Sequence, residues 1–494
     1  MVRPIPSRRV RVPFLLAAAV LVATSGCLPL PDVRRPAPVV APSYRVAPTE
    51  VPAEVVRVPG FDVPSTPERF DAQRVVRWAL DEPAQTVVVA VPGLFGGAAD
   101  FAPLARRLVA ASPGLQVWSI DRRSNALEDH RAARTALARR DPAPLVPAYL
   151  GADGQPPTFA APDAEEMGFV ADWGLAVHLN DLDRVVRDAA GVAPRVVLMG
   201  HSMGASLAAV YAAWETGRGP GGAHLDGLVL IDGAPGRTGA FGFERGFRVL
   251  GLPVALPSRE ALAAGRVDPW ITQGEGGATF ARRMAAAQLA ALDPDGDAPA
   301  GALGFPASNR AFAGVLHDDQ YGPFEVFNAS LGEVVDAELD GNLFGFVLGG
   351  PWAARSGSVV GVADGARRVS WGPGDPWAER TDMDEYLTAW TVPGVDASEW
   401  YVPLRLLQDL TALSPDLRDA TGFVPMAEVA TPTLAFGSDR GLLRDVDDFG
   451  GYLDQRLGAP VSVSIVSGLT HVDMLTADEN PLVPRLLRWL TLTR

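Results

Sequence analysis

From about residue 70 onward, apolar residues arrive in short runs that end in Gly, Asp or Ser. The runs are 86–91 (TVVVAV), 116–120 (QVWSI), 195–199 (RVVLM), 227–231 (GLVLI), 433–436 (TLAF) and 461–466 (VSVSIV). All but the last lack the strict alternation of a half-exposed strand, so they read as strands buried on both faces of a parallel sheet. Between them, apolar positions fall at helical spacing over 99–111, 164–190, 203–214, 445–457 and 481–492. Strand and helix in alternation predict a mostly parallel, doubly wound α/β sheet with right-handed crossovers.

Two stretches break this rhythm. Residues 123–163 are longer than a simple crossover loop needs. The second, running from about 234 to 429, is a domain's worth of sequence set between the strand ending near Asp232 and the strand ending near Asp439. It holds Trp270, Trp352, Trp371, Trp377, Trp390 and Trp400, six of the chain's eleven tryptophans. An insertion with its own large aromatics reads as a folded cap rather than a disordered loop. The organisation expected is a core of residues 70–235 and 430–494 with a cap at 236–429. No internal repeat at a fixed period is present, which excludes solenoids and propellers.

The amino-terminal stretch has another character. Arg3, Arg8, Arg9 and Arg11 precede an apolar run at 13–23, then Thr24-Ser25-Gly26 and Cys27. This is the layout of a secretory signal, too short to span a bilayer comfortably. Cys27 is the only cysteine in the 494 residues, so it has no internal disulfide partner. Placed straight after small residues, it resembles a bacterial lipobox, which implies cleavage after residue 26, lipid attachment at Cys27, and export across the inner membrane to an anchored place in the cell envelope. Residues 27–69 are rich in proline and read as an extended tether. The formal net charge of −15 makes nucleic acid an unsuitable partner.

The strongest chemical signal is Gly200-His201-Ser202-Met203-Gly204, directly after one buried strand and directly before a helical run. A serine there stands on a sharp turn, with flanking glycines where a side chain would clash. The helix start beneath it offers N–H groups and the positive end of a dipole to a developing oxyanion. With that context the chain resembles the α/β-hydrolase superfamily over residues 70–235 and 430–494, in the order nucleophile, acid, histidine. The resemblance implies Ser202 as nucleophile. It puts the base at His471, in the loop after the last strand.

For the acid, two aspartates end core strands: Asp439, in a Gly-x-Asp turn, is the expected one, and Asp232, one strand earlier, is the alternative. Asp473, close to His471 in sequence, reads as a loop residue. The resemblance also implies an oxyanion hole from the N–H groups of Met203 and Leu94, with Phe95 as alternative donor, although Pro92-Gly93 stands where the family often has His-Gly. The run Asp121-Arg122-Arg123-Ser124-Asn125 lies at the carboxyl end of another strand, where it reads either as a border of the active site or as a structural ion-pair cluster. No metal-ligand spacing is visible, and neither metal nor organic cofactor is expected. These residues imply hydrolysis of a small-molecule, hydrophobic carboxylic ester through an acyl-enzyme, with a lipid-like or bulky substrate held under the cap. A non-catalytic envelope lipoprotein, an acyltransferase and an amidase are the alternatives.

Overall fold

The computed structural model describes residues 43–493 apart from 153, 236, 239–240, 243–247, 250–251, 254–255, 268–277, 304, 322–327, 336–338, 341–360, 363–367, 375–378, 414–416, 418–419 and 457–459. The signal segment and Cys27 lie outside the described residues, as do Trp270, Trp352 and Trp377. No described helix is long and apolar enough to cross a membrane.

Eight strands form the large sheet: β1 (Ala53–Pro59), β2 (Ala72–Trp78), β3 (Thr86–Val91), β4 (Leu115–Asp121), β5 (Val196–His201), β6 (Gly227–Ile231), β7 (Thr433–Arg440) and β8 (Val461–Thr470). Their spatial order is β1-β2-β4-β3-β5-β6-β7-β8. Every pairing from β4 to β8 is parallel, and β1 and β2 add an antiparallel edge. The mostly parallel α/β sheet expected from the sequence is therefore present.

The missing alternation has a direct structural counterpart. In β3, Val88 and Ala90 enter the apolar cluster on one face, while Val87, Val89 and Val91 enter the cluster on the other. In β5, Val197 and Met199 take the first side, Val196 and Leu198 the second. Each such side chain removed from water contributes on the order of 1.5–3 kcal/mol, so a polar residue at any of these positions would cost the sheet rather than face solvent.

Three local expectations are corrected. Residues 53–59 are not tether but strand β1, paired with β2 along its whole length; its proline sits at the strand end on the sheet's edge, where no ladder bond is lost. The helix expected over 164–190 is divided into a 3-10 stretch, Ala164–Asp172, and a helix, Leu175–Ala190. The division falls at Gly174, where a Cβ would run into the Asp409 carboxylate, and Asp409 Oδ2 accepts from Leu175 N at 2.8 Å. The cap therefore supplies the helix start that local sequence lacks. The helix expected over 445–457 is shorter, Gly450–Gln455 after a 3-10 turn.

The insertion occupies the interval between the adjacent strands β6 and β7. Its described helices include Ala278–Leu292, Asn309–His317, Met383–Ala389 and Leu404–Ala412. Trp371, Trp390 and Trp400 are buried. Trp371 covers Gly314, Trp390 meets the His317 ring edge-on, and Trp400 packs against Tyr149 and Phe159. These three tryptophans build the cap and its seam with the core rather than line an open pocket.

Candidate active site

The carboxyl ends of the parallel strands converge on one turn. Strand β5 ends at His201, and helix α1 (Met203–Ala213) begins one residue after Ser202. Ser202 has φ 56° and ψ −124°, a conformation that ordinary side chains avoid. The bend closes because its neighbours carry no side chain: a Cβ on Gly200 would collide with Gly204, and one on Gly204 with the Val91 and Pro92 carbonyls. Ser202 N donates to the Ile231 carbonyl at 2.9 Å, which ties the turn to the end of β6.

The residue after Ile231 is Asp232, also at positive φ (47°) and wholly buried. Its Oδ2 lies 2.5 Å from His471 Nδ1. The same carboxylate accepts from Leu442 N at 2.8 Å and Leu443 N at 2.7 Å. The loop after β7 thus holds the carboxylate from beneath while the imidazole approaches it. A carboxylate can only accept here, so Nδ1 carries the proton and Nε2 is left with a lone pair.

Asp439 does not meet His471. Its side chain is exposed at the end of β7, where Oδ1 accepts from Gly468 N at 2.7 Å. The expected acid is therefore corrected: the carboxylate on the imidazole is Asp232. The physical reason is that β7 bends after Ser438, whose hydroxyl takes the inward place and donates to the Leu469 carbonyl at 2.8 Å, leaving Asp439 on the outer side.

His201 joins the two halves of the site. Its ring lies 4.2 Å from that of His471, at 32° between planes, and its Nε2–H donates to the His471 carbonyl at 3.0 Å. Burial, with the His471 ring alongside, holds His201 well below the ordinary histidine range. A neutral ring can stack on a second imidazole without charge repulsion, so the residue before Ser202 fixes the loop carrying His471.

Asp473 is more than a loop residue. It is fully buried, and its carboxylate accepts from Ser330 N and Oγ (both 2.8 Å), Thr381 Oγ1 (3.0 Å) and Thr470 N (2.9 Å). The histidine loop is thereby pinned to two segments of the cap.

The residues after β3 approach the serine from the other side. A Cβ on Gly93 would touch that of Ser202. Gly93 to Gly96 form a turn, closed by Gly96 N to the Gly93 carbonyl at 3.2 Å, with Phe95 at φ 70°. Leu94 is half-buried at the tip of this turn, and Met203 is the first residue of α1, whose N–H has no partner within the helix.

The turn itself is held by Arg122. Its guanidinium donates to the carbonyls of Pro92 (2.8 Å), Gly93 (2.5 Å) and Gly96 (3.0 Å), and forks onto Glu399 at 2.9 and 2.7 Å. Both side chains are buried, at 2% and 0% exposure. Glu399 also accepts from Ser124 Oγ, and its N donates to the Phe95 carbonyl at 2.9 Å. The two readings of this run from sequence meet here: it forms a buried ion pair, and that pair is built around the loop beside Ser202. Its signal was the position of Arg122, one residue past the carboxyl end of a core strand; Glu399, 277 residues away, gave none.

A second group, Glu128 and His130 from the core and Asp396 from the cap segment that also carries Glu399, could hold a metal ion.

Residues 86–256 match the family model described as the alpha/beta hydrolase fold. No curated protein matches the sequence. Among solved structures, the chain is similar to a proposed lipase of Sulfolobus solfataricus (16% identity, 94% of this chain and 98% of that one, TM-score 0.48). It is also similar to an epoxide hydrolase of Vigna radiata (13%, 89% and 98%, TM-score 0.40) and a soluble variant of the monoglyceride lipase of Saccharomyces cerevisiae (12%, 92% and 99%, TM-score 0.37). Likenesses this distant carry no argument about the reaction. The eight-stranded sheet, the turn after its fifth strand and the match over 86–256 together identify this chain as one that carries the α/β-hydrolase fold.

Proposed function

We propose that the chain is a serine hydrolase that cleaves carboxylic esters, with Ser202 as nucleophile, His471 as base and Asp232 as the acid that orients it. One observation carries the reading: a serine strained at positive φ between strand and helix is tied through Ile231 to the aspartate that pairs with His471 at 2.5 Å. A histidine held by its Nδ1 presents Nε2 as a base.

In this mechanism the Ser202 hydroxyl attacks the ester carbonyl while His471 Nε2 takes its proton. The N–H groups of Met203 and Leu94 stabilise the oxyanion. His471 then protonates the leaving alcohol, and water, activated by the same imidazole, releases the acid. The Phe95 and Phe280 rings, 5.5 Å apart, set an apolar contact between the turn and the cap and favour esters with an apolar acyl group.

Ser202→Ala should lower kcat for a p-nitrophenyl ester by at least about 10⁴-fold while leaving the unfolding transition in place. A variant that keeps most of the wild-type rate would show that another group is the nucleophile.

A further inference from the structure

Glu128, His130 and Asp396 meet in the core although 266 residues separate the last two. His130 Nε2 lies 3.2 Å from Glu128 Oε2 and 3.4 Å from Asp396 Oδ2, and all three ligand atoms fall within 4.8 Å of one another. The side chains are nearly closed to solvent, at 3% exposure for His130 and 1% for each acid. Yet neither His130 Nε2 nor Glu128 Oε2 has a hydrogen-bond partner.

The remaining atoms are committed. His130 Nδ1 faces the Gly394 carbonyl at 3.4 Å, where an N–H is favourable, so in the neutral ring the lone pair is on Nε2, turned toward the two carboxylates. Glu128 Oε1 accepts from Trp400 N at 2.7 Å. Asp396 Oδ1 accepts from Ser398 N (2.8 Å) and Oγ (3.2 Å), and Oδ2 from Trp400 Nε1 at 3.2 Å. The Trp400 ring stands edge-on to the imidazole and shuts the group off.

With the ring neutral, a nitrogen lone pair and two carboxylate oxygens converge in a dry site, and no hydrogen bond of normal geometry joins His130 Nε2 to Glu128 Oε2. Two buried carboxylates need a compensating positive charge, which either a proton on Nε2 or a metal ion in its place supplies. Ligands at about 2.0–2.1 Å from a tetrahedral ion stand about 3.3–3.4 Å apart, close to the separations seen. Calcium prefers six to eight oxygens; one imidazole with two carboxylates suits a divalent transition ion. The hydrogen bonds to the other atoms of each ligand are of the kind that orient metal-binding side chains.

We propose that Glu128, His130 and Asp396 form a binding site for a divalent transition-metal ion of the zinc type, which staples the cap to the core. Glu128 and His130 follow β4, whereas Asp396 belongs to the cap segment whose carbonyl accepts from Ala99 N at 3.1 Å and whose Ser398 bridges Gly96. An ion here fastens that segment against the turn beside Ser202 without touching the serine.

The test uses the full purified chain. After removal of metal with a chelator and dialysis against Zn²⁺, elemental analysis should give about one zinc per chain, and Tm should rise by several degrees over the chelated sample. His130→Leu, which nearly keeps the volume and offers no ligand atom, should bind no zinc and show no rise; His130→Gln, whose amide oxygen is a much weaker ligand than imidazole, should bind it far more weakly than wild type. Should both variants fail to fold, Co²⁺ loaded into the wild-type chain gives the second readout, since tetrahedral N/O ligation produces visible absorption bands that octahedral hydration lacks. Zinc well below one per chain with an unmoved Tm, or zinc bound by His130→Leu as by wild type, overturns the proposal, and both results stand whether or not Ser202 is catalytic.

Discussion

At the scale of single residues, the site turns on which carboxylate reaches the imidazole. Asp232 and Asp439 both end core strands, but a strand end leaves a side chain free to point either way. At Asp232 the positive φ (47°) turns the carboxylate inward, where two backbone N–H groups and His471 meet it. Asp439 keeps an exposed place on the outer side. Asp232→Asn removes the acceptor that fixes the Nδ1–H tautomer and should lower kcat on the order of 10⁴-fold. Asp439→Asn should stay within about threefold of wild type, since it loses one exposed hydrogen bond. Steady-state rates on one p-nitrophenyl ester decide the matter: equal losses in both variants, or a loss confined to Asp439→Asn, would return the role to Asp439.

At the scale of elements, the turn after β3 does not hold itself. Three of its carbonyls are gathered by one guanidinium, and that guanidinium is matched by Glu399 from the far end of the insertion. Arg122 is a positioning residue, because it reaches carbonyls of the turn rather than substrate. Lysine keeps the charge but lacks the planar fork, so Arg122→Lys lets the Leu94 N–H drift from its place. A misplacement of about 1 Å costs roughly 10²-fold in rate. We expect kcat to fall by about that factor with KM within about threefold, alongside a lower urea midpoint from the buried hydrogen bonds lost. A variant that lost stability while keeping kcat would make Arg122 a purely structural brace.

At the scale of the whole molecule, burial of titratable groups sets the response to acid. His178, inside helix Leu175–Ala190, is buried, and desolvation with nearby Arg123 and Arg122 lowers its pKa to about 3. The unfolded chain holds this ring near its ordinary value of about 6.5. Below that pH the unfolded state therefore binds the proton first, and the folded state loses stability as pH falls, by about 1.4 kcal/mol per pH unit until about pH 3. Replacing the group removes its share. Urea unfolding of wild type and His178→Gln at pH 7, 6, 5 and 4 should give curves that converge toward acid. Parallel profiles would show that the ring titrates alike in both states.

How much of this was legible follows the range of the interactions. Strands such as TVVVAV and GLVLI declare themselves because burial on both faces demands apolar residues at every position, a local requirement. The elbow declares itself for the same reason: the bend at Ser202 needs Gly200 and Gly204 within two residues. Edge strand β1 escaped, since four of its seven positions face solvent and the prolines before and at the end of it suggest an extended tether. The break at Gly174 escaped because its cause, Asp409, lies 234 residues beyond Leu175, whose N–H it accepts.

The sequence by itself determined the parallel sheet, the place of the insertion and the sharp turn at Ser202, because each depends on neighbours along the chain. Only the tertiary structure decided that Asp232 rather than Asp439 meets His471, that Arg122 and Glu399 hold the turn, and that Glu128 and His130 find Asp396. Those are pairings across hundreds of residues. Each depends on which way a side chain leaves its backbone and on what the packed cap brings within 3 Å of it, and neither is encoded in spacing.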